Sequence, residues 1–215
     1  MLRRAALAIV ALIAADAAAQ ETAPRPAAVE SSLVAAPRDA RTVAWAVGLP
    51  PITVASAATT ATASLRLYGP DGEIDDAALD RFESIVAGEG DPHDLAPRLA
   101  QLVFKAAYHF GNARVVVVSG WRQRAGRHTT GEALDFKLQG VRAAQLAGYL
   151  RGLPRVGVGI YTHPRTQYVH LDVREASYHW LDASPPGVHW KERQLRDPKA
   201  AARDASWTPE SDLPP

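Results

Sequence analysis

The sequence predicts an α+β fold, a single domain with a central antiparallel sheet flanked by helices. Three observations carry that reading. Val115–Val118 is a run of four β-branched residues, which suits a strand buried on both faces. Gln167–Val173 alternates polar and apolar residues with the period of a strand. Upstream of both, apolar residues recur at helical spacing in two stretches. The first holds Leu79, Phe82, Ile85 and Val86, the second Leu95, Leu99, Leu102, Val103 and Ala106.

Composition narrows the function classes. The net charge is +1, so no basic surplus argues for nucleic acid or an anionic membrane as partner. There is no cysteine, which excludes a disulfide framework and a thiolate metal site. Any metal must be held by histidine and carboxylate.

Residues 1–19 have the pattern of a secretory signal peptide. Arg3 and Arg4 form the charged region, Ala5–Ala15 the apolar region, and Ala17-Ala18-Ala19 the small residues before a cut near Ala19. The apolar run falls short of the ~20 residues that span a bilayer, so no stable membrane span is expected after cleavage. Export to the periplasm is the expected localisation. Residues 20–63 read as an Ala/Pro-rich tether with a peripheral segment. Within it, Val43–Val54 with Trp45 is expected as an edge strand or clip.

The folded domain is expected over 64–181. Ser64–Tyr68 alternates as a short strand and Gly69-Pro70-Asp71-Gly72 is a turn signal. Asp75 or Asp76 can cap the first helix, and Asp94 the second. Arg114–Ser119 and Glu132–Leu138 read as strands. In the latter, Ala133, Asp135 and Lys137 share one face and Leu134 and Phe136 the other. Val141–Leu153 is a helix, Val156–Tyr161 a glycine-interrupted strand, Thr162-His163-Pro164-Arg165 a turn, and Gln167–Val173 the last core strand. Residues 182–215 read as a Pro-rich tail, disordered beyond Asp197. Trp180 is expected to pack against the domain, and Tyr178–Trp180 with Val188–Trp190 to form a strap on the surface, the alternatives being a second metal site or a sugar-stacking patch.

The chemistry concentrates in Ser119–Phe136. His128-x-x-Gly131-x-Ala133-x-Asp135 sets an imidazole and a carboxylate on either side of a glycine turn. His170, in Tyr168-Val-His-Leu-Asp172, adds a second imidazole. Pairing of the Val156–Tyr161 and Gln167–Val173 strands is expected to bring His170 toward Asp135. His128, Asp135 and His170 are three ligands of kinds that Zn2+ accepts, with a fourth position left for water. Arg122, just past a buried strand, has a planar fork suited to a carboxylate. The other reading of Arg122 is a structural pair with an internal acid.

These blocks resemble the zinc D,D- and L,D-peptidases of the bacterial cell wall, the M15 group, and within it the branch of periplasmic murein endopeptidases. The residues that carry the resemblance are Ser119-Gly120-Trp121-Arg122, the His128-to-Asp135 motif, Gly157-Val158-Gly159-Ile160-Tyr161 and Tyr168-Val169-His170-Leu171-Asp172. The resemblance implies a zinc cleft on the sheet and hydrolysis of peptide bonds in peptidoglycan peptides. It implies that Arg122 holds a substrate carboxylate, and that Ser119 and Tyr168 contact substrate. Many members carry a Glu three residues before the last zinc histidine; here that position is Gln167. The murein-endopeptidase branch also tends to lack this Glu. Asp172 is then the first candidate for the general base, on the same strand face as His170. The alternative is that Asp172 orients a ligand imidazole. His163 is a weaker candidate for the base. A D-alanyl-D-alanine-type carboxypeptidase and a non-catalytic peptidoglycan-binding domain are the competing functions. Protein partners are not indicated.

Overall fold

The computed structural model describes residues 40–88, 93–123, 126–186, 188 and 192–215. The expected signal segment, the tether up to residue 39 and the His189-Trp190 pair lie outside these residues. The described strands are β1 (Ile52–Ser56), β2 (Thr62–Leu65), β3 (Val115–Ser119), β4 (Ala133–Leu138), β5 (Val156–Tyr161), β6 (Tyr168–Val173), β7 (Tyr178–Asp182) and β8 (Arg193–Gln194). They form one sheet in the order β2-β1-β3-β4-β6-β5-β7-β8. The helices are α1 (Ala40–Gly48), α2 (Asp76–Ala87), α3 (Pro97–His109), α4 (Ala143–Leu150) and α5 (Ala200–Ala205), with a 3-10 turn over Pro209–Asp212. The α+β class is as the sequence predicts.

The centre of the sheet is antiparallel, through β3–β4, β4–β6 and β6–β5. Outside it, β1 pairs with β3 and β5 with β7 in parallel. The sheet is therefore mixed, which corrects the expectation of an antiparallel one. Parallel neighbours need a crossover. The chain supplies one by running from β1 through β2, α2 and α3 before β3.

Alternation along the central strands builds two faces. Leu134, Phe136, Val169 and Leu171, with Val156 and Val158, join one apolar core with residues of α2, α3 and α4. Asp135, His170 and Asp172 alternate with them and face the other way. Phe82, Phe104 and Phe136 are fully buried, and Phe82 and Phe104 meet edge to face at 5.7 Å. Burial of this kind contributes on the order of 2–3 kcal/mol per large side chain.

Helix α2 begins as expected, with Asp75 Oδ1 accepting from the Ala78 N–H at 2.7 Å. Helix α3 begins at Pro97 behind Ala96, later than Asp94. Proline at the first helical position has the right φ and no N–H to satisfy there. The stretch expected as an edge strand splits in two. Residues up to Gly48 are helix α1, whose Trp45 meets Tyr68 at 5.0 Å. The strand β1 begins only at Ile52 and is interior, between β2 and β3.

The C-terminal segment corrects the expectation of disorder beyond Asp197. Strand β8 extends the sheet, and α5 and the 3-10 turn dock on the core. Asp204 accepts from the N–H groups of Arg155 (2.6 Å) and Ser177 (2.7 Å) and from the Ser177 hydroxyl (2.6 Å). Asp212 pairs with the buried Arg98 at 2.7 Å, and the Trp207 ring lies 4.5 Å from the Arg155 guanidinium. The signal was hidden by composition: the proline-rich and charged surroundings mask two acids that are in fact buried. No helix among the described residues is long and apolar enough to cross a membrane.

Candidate metal centre

Register, more than turn geometry, assembles the site. Strands β4 and β6 pair so that Asp135 lies directly opposite His170. The expected partner of β6, strand β5, does pair with it, but sets Gly159 opposite His170. Asp135 therefore meets His170 through the β4–β6 ladder and not through the hairpin. His128 arrives from the loop before β4. Gly131 has φ 72°, a left-handed conformation that glycine adopts without strain, and a Cβ there would lie 2.0 Å from the Asp94 carbonyl oxygen. The turn folds His128 back over the strand, as the motif implied.

Three donor atoms converge. His170 Nδ1 is 2.9 Å from Asp135 Oδ1, His128 Nε2 is 3.1 Å from His170 Nδ1, and His128 Nε2 is 3.5 Å from Asp135 Oδ1. Three donors on a tetrahedral metal at about 2.0–2.1 Å lie about 3.3–3.4 Å apart. The observed triangle is close to that size, and the three residues could hold a metal ion.

The outer nitrogens fix the tautomers. His128 Nδ1 is 2.6 Å from the Gly120 carbonyl, which can only accept, so Nδ1 carries the proton. His170 Nε2 donates to Asp172 Oδ2 at 3.1 Å. Each ring then turns a bare nitrogen toward the common point. Two lone pairs and a carboxylate oxygen within 3.5 Å repel one another unless a cation lies between them. The residues present fit a metal by this chemistry. Protonation of an imidazole on its inner nitrogen relieves the same repulsion when no cation is bound. Burial alone would raise the Asp135 carboxyl and lower the His170 imidazole. Hydrogen bonds with the two imidazoles nevertheless hold Asp135 well below the usual carboxylate range. Those with Asp135 and Asp172 push His170 up.

Asp172 faces the outer nitrogen of His170 and not the convergence point. It is 1 % exposed, and the Arg174 Nε and Nη2 both donate to it. Arg127 Nε lies 3.5 Å away. Burial opposes its ionisation, but its bonds with His170 and Arg174 hold its pKa below the usual carboxylate value. Arg122 bonds Asp135 Oδ2 through Nη2 and the Ser119 hydroxyl through Nε. The internal-acid reading of Arg122 is thus realised, yet its side chain is 48 % exposed and lines the cleft. Its Nη1 has no hydrogen-bond partner among the described residues. Ser119 is engaged by Arg122. Tyr168 stacks on Tyr161 at 4.3 Å, and burial pushes its hydroxyl up to about 12.

Two adjoining cavities of about 300 Å³ each open over this face. One contains His128, His170, Asp172 and Trp180; the other contains Tyr168 and Asp182. Arg122, Tyr161 and Glu192 line both. His163 accepts from the Arg165 N–H and lines neither. His93 stacks on Trp121 and His109 on Tyr149, each at 3.9 Å, away from the triad.

Several contributors escaped the sequence reading. The Gly120 carbonyl leaves no mark in a sequence. Gly157 and Gly159 did leave one. A Cβ on Gly157 would lie 2.1 Å from Asp172 Oδ2, and one on Gly159 2.4 Å from the Trp180 ring. Their alternation clears one strand face for these groups. Trp180 follows from the β5–β7 register, which pairs it with Gly159.

The class that fold and site define is an α+β protein with a His-Asp-His triad, able to hold a metal ion, in an open cleft. A family model described as Peptidase M15 matches residues 78–172, a stretch that runs from α2 to Asp172 and contains Arg122, His128, Asp135 and His170. No curated protein and no solved structure matches the chain.

Proposed function

We propose that this protein is an exported zinc peptidase of the M15 family that hydrolyses peptide bonds in peptidoglycan, as a murein endopeptidase. The observation that carries the reading is the donor triangle of His128, Asp135 and His170, with both outer nitrogens tied to acceptors. The match to the Peptidase M15 model over the same residues supports it. The Arg3-to-Ala19 pattern supports export.

His128 Nε2, His170 Nδ1 and Asp135 Oδ1 would hold the zinc. When bound, zinc lowers the pKa of water toward neutrality and polarises a carbonyl. The chain's own residues do the rest. Asp172, through His170 Nε2–H, keeps that imidazole in the ligating tautomer. Arg122 aligns Asp135 through Nη2 and turns Nη1 to a substrate carboxylate. The cleft continues past Arg122 into the second cavity, so substrate can extend on that side of the triad. That continuation supports an endopeptidase over a carboxypeptidase trimming D-alanine.

Incubation of the full-length mature protein with purified sacculi, with zinc and with a chelator, tests the reading. Zinc-dependent release of cross-link-cleaved muropeptides supports it. Release of D-alanine alone assigns a carboxypeptidase. Retention on sacculi without products assigns a binding domain.

A further inference from the structure

Hydrolysis of an amide needs a group that takes a proton from water and returns it to the leaving nitrogen. Asp172 is poorly placed for that work. One oxygen accepts from His170, both accept from Arg174, and the carboxylate is buried behind the imidazole. Asp135 is held by His170 and Arg122. Asp182, in the neighbouring cavity, accepts from the Ser184 N–H at 2.7 Å and from its hydroxyl.

Glu192 differs from all three. It is exposed, lines both cavities, and has no hydrogen bond or ion pair among the described residues. Register explains its direction. Strands β7 and β8 pair Trp180 with Gln194 and Leu181 with Arg193. One step further sets Glu192 opposite Asp182. Opposed residues share a face, and Asp182 shares its face with Trp180, two residues before it. That is the cleft face, because the Trp180 ring lies 5.0 Å from the His170 ring. The strand is held in place by Leu195 N–H on the His179 carbonyl and by Arg203 on Asp197.

We propose that Glu192 is a catalytic residue, the proton-transfer group of the cleft, supplied by the C-terminal segment; this rests on the peptidase reading above. Its carboxylate takes one proton from the attacking water as the water oxygen bonds to the scissile carbonyl carbon. The same proton passes to the amide nitrogen as the C–N bond breaks. One water is consumed, and a carboxylic acid and an amine leave, the acid's proton ending on the amine to give carboxylate and ammonium. No oxidant or second substrate is needed.

The test compares wild type, Glu192→Gln and Glu192→Ala in the full mature chain on purified sacculi. Zinc affinity and retention of the protein on sacculi are measured beside turnover. The expected result is a fall in kcat of ~10²-fold or more in Glu192→Gln, with KM, zinc affinity and retention unchanged. Added formate should restore part of the activity of Glu192→Ala, which a purely structural role would not allow. Wild-type kcat in Glu192→Gln overturns the proposal. So does a loss accounted for by KM or zinc affinity, or one that formate does not relieve. If wild type itself releases nothing with zinc, the peptidase reading fails, and the catalytic role of Glu192 with it. Active wild type with active Glu192→Gln removes Glu192 alone.

Discussion

On the sheet side of the cleft, His128, Asp135, His170 and Asp172 are each tied to a neighbour. On the C-terminal side, Glu192 makes no hydrogen bond or ion pair among the described residues. The sheet side is placed by ladder register between β4 and β6, with the outer nitrogens locked by Gly120 and Asp172. The other side is placed by a two-residue strand and by contacts far along the chain. The contrast fits the two proposed jobs. A metal cradle must be rigid before the ion arrives, because misplaced donors cost affinity. A proton-transfer group needs free lone pairs, so it cannot be wired into the same network.

The largest expected effect breaks the rigid side outright. His128→Ala or His170→Ala should abolish zinc binding by elemental analysis, while the circular dichroism melt stays cooperative because the core lies on the opposite sheet face. Full metal occupancy in the double variant would rule out this centre. Asp172→Asn comes next. It should weaken zinc binding by ~10- to 100-fold, with added zinc restoring much of the activity. A fall in turnover with zinc affinity intact would instead make Asp172 the base and Glu192 a bystander.

The C-terminal side is probed by Asp204→Asn, which removes a buried acceptor of three hydrogen bonds. A stability loss of about 1–3 kcal/mol is expected in urea titration. Burial would raise the Asp204 carboxyl, but the bonds from Arg155 and Ser177 hold it below its ordinary value. Its contribution is then present above the unfolded value near ~3.9 and is lost as pH falls through the lower folded value. The variant should therefore show a shallower loss of stability below about pH 4. An unchanged acid profile would mean that the segment docks by other contacts. The smallest effect is expected for Arg122→Lys. It keeps the charge but not the fork, so turnover should slow by about tenfold, the worth of one charge-assisted bond. Zinc content should not change, and wild-type kinetics would make Arg122 irrelevant to substrate.

The same contrast explains what could be read from the residues alone. Asp135 and His170 stand in alternating strands, and alternation assigns faces without coordinates. Gly131, between His128 and Asp135, marked the turn. The roles of Asp172 stayed open, because two groups on one strand face can meet either the metal side or the far side of an imidazole. Glu192 was missed because its position depends on β8 pairing with β7, a strand of two residues in a proline-rich stretch. Helix α1 was missed because its Val/Ala/Trp pattern fits either period.

The ion pair of Arg98 and Asp212 joins positions 114 residues apart. Without Asp212, the buried guanidinium keeps only the Pro154 and Arg155 carbonyls as hydrogen-bond acceptors. A buried cation without its counter-charge is costly. The pair thus ties the segment after β8 to α3: a chain clipped between Glu192 and Asp212 keeps every cleft residue yet leaves a buried cation uncompensated, a loss of about 3–5 kcal/mol.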